Sequence, residues 1–65
     1  MSHSLRYSCQ LTDFDGHPLA AVALTCESDQ EAICHGRSFA ESCSDWKRWE
    51  IKHSGRLVHR QERTL

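Results

Sequence analysis

The segment Ser28-Asp29-Gln30-Glu31 constrains this chain more than any other, because a hydroxyl followed three residues later by a carboxylate is the reciprocal capping box that starts a helix. It divides the sequence into two halves, each reading as two strands around a turn signal. The implied fold is α+β, ββαββ: a four-stranded, mainly antiparallel sheet with one helix packed on one face. The expected bounds are strands at about 4–12, 19–27, 46–53 and 56–61 and a helix at about 29–43, all within a single small domain over 1–65.

The first half alternates cleanly. Leu5, Tyr7, Cys9 and Leu11 are separated by Arg6, Ser8 and Gln10, the period-two pattern of a strand with one wet face. Asp15-Gly16 supplies a pair that tolerates positive φ, as a two-residue hairpin turn requires. Pairing Phe14 with His17 sets Leu11 opposite Ala20, Cys9 opposite Val22, Tyr7 opposite Leu24 and Leu5 opposite Cys26. Every inward residue then meets an apolar partner, and a slip of one residue would send the whole set to solvent.

Beyond the Ser28 cap, Ala32, Ile33, Gly36, Phe39, Ala40 and Cys43 recur at three- and four-residue spacing, an apolar stripe able to cover a sheet. Gly36 in mid-helix costs about 1 kcal/mol relative to alanine, which points to close approach of a bulky sheet residue such as Tyr7 or Trp49. The third strand directs Trp49 and Ile51 toward the helix, and Ser54-Gly55 is the second turn. Either Val58 or Leu57 then faces Ile51, depending on whether the turn is a simple two-residue one or carries a bulge; Leu57 is favoured inward. Gln61 to Leu65 has no periodicity and reads as a frayed tail.

A chain of this length buries only roughly 60% of its unfolded surface, and domains so small often need a metal, a disulfide or a partner to supplement the core. Cys9, Cys26, Cys34 and Cys43 are widely spaced with no Cys-x-x-Cys pair, and Met1-Ser2-His3-Ser4 opens no secretion signal. Reduced thiols in a soluble, cytoplasmic protein are therefore expected. The longest apolar run, Leu19 to Leu24, is far short of the roughly 20 residues that span a bilayer, so no membrane is expected. A homodimer is one way to supplement so small a core.

Chemistry-bearing residues do not gather into a motif. Cys34-His35 is the one adjacent Cys-His pair, and neighbours on a helix diverge. His53 and His59 face each other across the second hairpin, with Cys43 at the helix end, but four converging zinc ligands are not evident. No catalytic residue, cofactor or metal is expected. Charge is uneven: residues 1–46 hold two basic and seven acidic side chains, residues 47–65 six basic and two acidic. Trp46, Lys47, Arg48, Lys52, Arg56 and Arg60 therefore form a candidate nucleic-acid contact surface, with the indoles as stacking platforms.

Tyr7-x-Cys9 to Asp15-Gly16-His17, Glu27-Ser28-Asp29-x-Glu31-Ala32, and Trp49-Glu50-Ile51 to Gly55-Arg56-Leu57-Val58 together resemble a population of short uncharacterised proteobacterial ββαββ proteins. The resemblance covers nearly the whole chain, through turn, cap and core residues. It implies a bacterial domain of that fold and transfers no catalytic or binding residue. The favoured reading is a protein-interaction or accessory module without catalytic activity, its protein partner unknown and its first-hairpin edge or open sheet face as the docking surface. The alternative is nucleic-acid binding through the second hairpin.

Overall fold

The computed structural model describes residues 4–64. Its elements are β1 (Leu5–Thr12), β2 (Pro18–Cys26), α1 (Asp29–Glu41), β3 (Arg48–His53) and β4 (Arg56–Glu62). The strands form one sheet in the order β2-β1-β3-β4, with every neighbouring pair antiparallel. Two hairpins thus lie side by side with their first strands in the centre. It follows that β2 and β3 run parallel on either side of β1, and parallel strands need a crossover, which α1 supplies over one face. Met1 to His3 and Leu65 lie outside the described residues.

The first hairpin takes the expected register from Leu5↔Cys26 to Leu11↔Ala20. Its turn differs from the two-residue one read from Asp15-Gly16. Asp13 N donates to His17 O (2.9 Å) and Gly16 N to Asp13 O (3.1 Å), so three residues form the loop and Gly16 sits at φ 85°. Asp13 causes the change: its Oδ1 accepts from both Asp15 N (2.9 Å) and His17 N (2.8 Å), a side-chain mimic of a turn that widens the loop. A register shift between Leu11 and Thr12 then restores the pairing of the apolar residues.

The second hairpin departs further. Ser54 (φ 51°) and Gly55 (φ 78°) make a two-residue turn with both central residues in the left-handed region, the form whose twist suits a hairpin. Lys52 pairs with Leu57, but a bulge follows and Ile51 pairs with His59. Neither expected register holds, and Leu57 is 43% exposed instead of inward. The extra residue is Val58, which packs against the core; inserting one residue lets Val58 reach the helix side while Leu57 stays opposite Lys52. β4 also continues through Glu62 and Arg63 N donates to Lys47 O at 2.7 Å, so the stretch expected to fray is ordered by the ladder at least that far.

Ser28 caps α1 by accepting from Glu31 N at 3.2 Å. The carboxylate of Glu31 turns toward His35 Nε2, 3.8 Å away, so the cap is one-sided and not reciprocal. The helix ends at Glu41, before the expected 43, where Ser42 Oγ donates to Phe39 O at 2.6 Å; a serine bonding its own preceding turn offers the backbone an alternative to another helical turn.

Tyr7, Cys9, Leu11, Trp49 and Ile51 on the two central strands are buried against Ala32, Gly36 and Ala40 of the helix. A Cβ at position 36 would fall on Ile51 Cδ1 and lie 3.1 Å from Trp49 Cζ3. The glycine is therefore a contact point, as its place in the apolar stripe implied. Trp46 is not in a strand: it precedes β3 in the connection from the helix and is 6% exposed.

Candidate functional site

The sheet offers two edges of different character. β2 has the sequence PLAAVALTC, with no charged side chain. After its irregular first residues it runs in unbroken register for the seven pairs from Ala20 to Cys26. Ala21, Ala23 and Thr25 are exposed, whereas Val22 and Leu24 are half-buried against the helix side. From Ala20 onward the strand presents one row of backbone N–H and C=O groups without the lysines, prolines or mid-strand bulge that usually guard an edge, Pro18 standing only at its first position.

β4 carries these guards. Its sequence is RLVHRQE, bulged at Val58. On the open face Arg60 Nε and Nη2 donate to Glu50 Oε2 at 3.1 and 3.0 Å. Arg48 Nε lies 3.5 Å from Glu50 Oε1, and Arg48 Nη1 lies 3.9 Å from Glu62 Oε1. Glu50 is only 8% exposed, so its charge is held by guanidinium groups on both sides, as a desolvated carboxylate requires.

This arrangement bears directly on the candidate nucleic-acid residues. Trp46 and Trp49 are 6% and 1% exposed, and the Arg63 guanidinium lies 4.0 Å from the Trp46 ring centroid. Arg63 Nε also donates to Trp46 O (2.9 Å), and its Nη2 donates to Trp46 O and Ser44 O. The indoles expected as stacking platforms are thus packing elements. Arg48 and Arg60 are engaged by Glu50, and Arg56 Nη2 reaches Asp29 Oδ2 at 3.4 Å. Lys47 and Lys52 are exposed, on different faces of the chain's path: Lys52 pairs with Ser8 on the open face, while Lys47 sits at the entry to β3.

On the helix side, Tyr7 Oη donates to Asp29 Oδ1 at 2.6 Å, tying β1 to the first helical residue. This bond and burial push the phenol up to about 12. The same bond and the Arg56 guanidinium hold the Asp29 carboxyl below the usual carboxylate range. His53 Nδ1 donates to Arg6 O at 2.7 Å and its ring stands 4.9 Å from that of Tyr7. His59 packs on Trp49 with centroids 5.0 Å apart. The two histidines that face each other in sequence thus go to separate packing partners and do not converge with Cys43.

The four cysteines are separate thiols; Cys9 and Cys26 are buried, Cys43 is half-buried and Cys34 is exposed. Burial pushes the Cys9 thiol up to about 11 and, with the nearby Glu31 charge, also raises that of Cys26. Two sets of potential metal donors come together among the described residues: Asp13, Asp15 and His17 in the first turn, and Cys26, Glu31 and His35 where β2 meets the helix, with donor atoms of each set within 4.8 Å of one another. The sequence reading missed both, although Glu31 and His35 stand four apart on a helix and share a face. A cleft of about 260 Å³ lies between the first turn and the entry to β3, with Asp13, Asp15 and Glu62 facing Lys47 and Arg48. Among the described residues no helix is long and apolar enough to cross a membrane. No family model, curated protein or solved structure matches the chain.

Proposed function

We propose that the protein is a non-catalytic interaction module, cytoplasmic and akin to the proteobacterial ββαββ proteins it resembles, that takes an extended strand of a protein partner onto β2. The observation that carries this reading is the bare β2 edge: seven residues in regular register, none charged. Strand addition draws affinity from main-chain hydrogen bonds and selectivity from alternate side chains. Here the alternate positions would be Ala21, Ala23 and Thr25 on the open face and Val22 and Leu24 on the helix side. A second copy pairing β2 with β2 is the first occupant to test. Nucleic-acid binding draws less support, because both indoles are buried and Arg48, Arg56 and Arg60 have carboxylate partners.

The test is sedimentation equilibrium of the protein alone, together with affinity capture from bacterial extract, using wild type, the double variant Ala21→Lys/Ala23→Lys, and Leu57→Lys on β4. Self-association or a captured partner lost in the β2 variant and retained in Leu57→Lys is the expected result. Equal behaviour of all three proteins, or loss only with Leu57→Lys, would place the docking surface elsewhere.

A further inference from the structure

We propose that Cys26, Glu31 and His35 form a mononuclear site for a divalent cation of borderline softness, of the zinc class. Independently of the β2 edge, the site joins the end of that strand to the start of the helix. The donor set is thiolate, carboxylate and imidazole, the three side-chain types that zinc-class ions take up. A tetrahedral shell with bonds of about 2.0–2.3 Å separates its ligands by roughly 3.3–3.8 Å. The Glu31 and His35 donor atoms are already 3.8 Å apart and none of the three pairs exceeds 4.8 Å, so no pair needs to close by more than about 1.5 Å.

The means to close are visible. The Glu31 and His35 side chains are 43% and 58% exposed and stand one helical turn apart, free to rotate inward together. Cys26 is the fixed member, 2% exposed at the last position of β2. Glu31 alone beside His35 would be an ordinary surface ion pair. What distinguishes this place is the thiol behind them, and that Glu31 leaves its return bond to the Ser28 cap unmade and points here. The Asp13, Asp15, His17 set lacks these features: it offers no sulfur, and Asp13 is already committed to two backbone N–H groups.

Binding exchanges bonds in balance. The six-coordinate aquo ion gives up five waters to three protein ligands and keeps one in the fourth tetrahedral position facing solvent, Cys26 gives its thiol proton to solvent as the metal–sulfur bond forms, and His35 binds as the neutral imidazole. One dipositive ion with one thiolate and one carboxylate leaves the site neutral, which suits its half-buried position. Affinity should therefore rise with pH as the proton is displaced.

The experiment is titration of the reduced protein with cobalt(II), followed by competition with zinc(II). One-to-one binding is expected, with a thiolate-to-cobalt charge-transfer band and tetrahedral ligand-field bands, both abolished by zinc. Affinity should fall at least tenfold in Glu31→Gln and in His35→Gln, two exposed substitutions whose folding is checked by amide NMR, and stay unchanged in Cys34→Ser. Absence of a thiolate band at stoichiometric cobalt, persistence of full affinity in both Glu31→Gln and His35→Gln, or loss of the band in Cys34→Ser would each overturn the site.

Discussion

β2 and β4 are the two outer strands of the same sheet, and they differ in almost every respect that governs whether an edge stays alone. β4 is bulged at Val58 and bears Arg56, Arg60 and Glu62, with Arg60 and Glu62 joined through Glu50 and Arg48 of β3. β2 is regular from Ala20 onward and carries no charge. A chain that protects one edge with so many devices has the means to protect the other. The contrast indicates that openness at β2 is a property of this fold rather than a default of its size, and it is why β2, not the basic hairpin, carries the functional reading.

Both edges hang on one frame of buried residues, and removing that frame has the largest effect. Trp49→Ala deletes a side chain 1% exposed that lies against Gly36 and His59. A buried Trp→Ala change costs about 3–5 kcal/mol, comparable to the whole net stability of a core this small. Amide hydrogen exchange should show β2 and β4 losing protection together. Persistent β2 protection after β4 has melted would mean that the hairpins are separate cooperative units.

Arg63→Ala acts on the β4 side alone. It removes the cation over Trp46 and the bonds to the Ser44 and Trp46 carbonyls. Charged hydrogen bonds of this kind contribute about 1.5–3 kcal/mol. Loss of order at the Trp46 connection and β4 is expected, read as a rise in Trp46 fluorescence quenching by iodide, with β2 exchange changed only by the drop in global stability. A quencher response equal to wild type would show that Arg63 does not cover the ring in solution.

The smallest effect is an acid one. Asp29 has a lowered pKa through Tyr7 and Arg56, so the unfolded state takes up the proton first as pH falls. The stabilisation is therefore present above the ordinary carboxylate value of 3.8 and is lost as pH drops below it through the folded value. Asp29→Asn should flatten the thermal-stability profile between neutral pH and pH 3 relative to wild type, and the β4 turn near Arg56 should loosen before β2. An unchanged acid slope would show that the Tyr7–Asp29–Arg56 contacts add nothing in solution.

How much of this was legible depends on whether a signal is local. The first hairpin's register followed from alternation on both of its strands, and the helix from Ser28 and the stripe through Gly36. The second register was not legible because Leu57-Val58-His59 contains no polar residue at a position that forbids a bulge, and two apolar neighbours compete for the same inward place. Trp46 reads as a strand residue by type, and its burial outside one comes from the core cluster it joins and from the distant Arg63 over its ring. Strand order, and with it the identity of the edges, depends on β1 pairing with β3 across more than thirty residues of chain. The Cys26, Glu31, His35 set likewise exists only because the end of a strand folds back onto the first turns of a helix.

Gly36 ends in a relation between positions rather than a property of one. Because a methyl group there would occupy the space of Ile51 Cδ1, the choice of residue at 36 and the choice at 51 are a single choice. A drifting lineage can enlarge the helix position only where the Ile51 side chain turns aside or shortens and Trp49 gives way with it. The helix position is thereby tied to two strand residues at once.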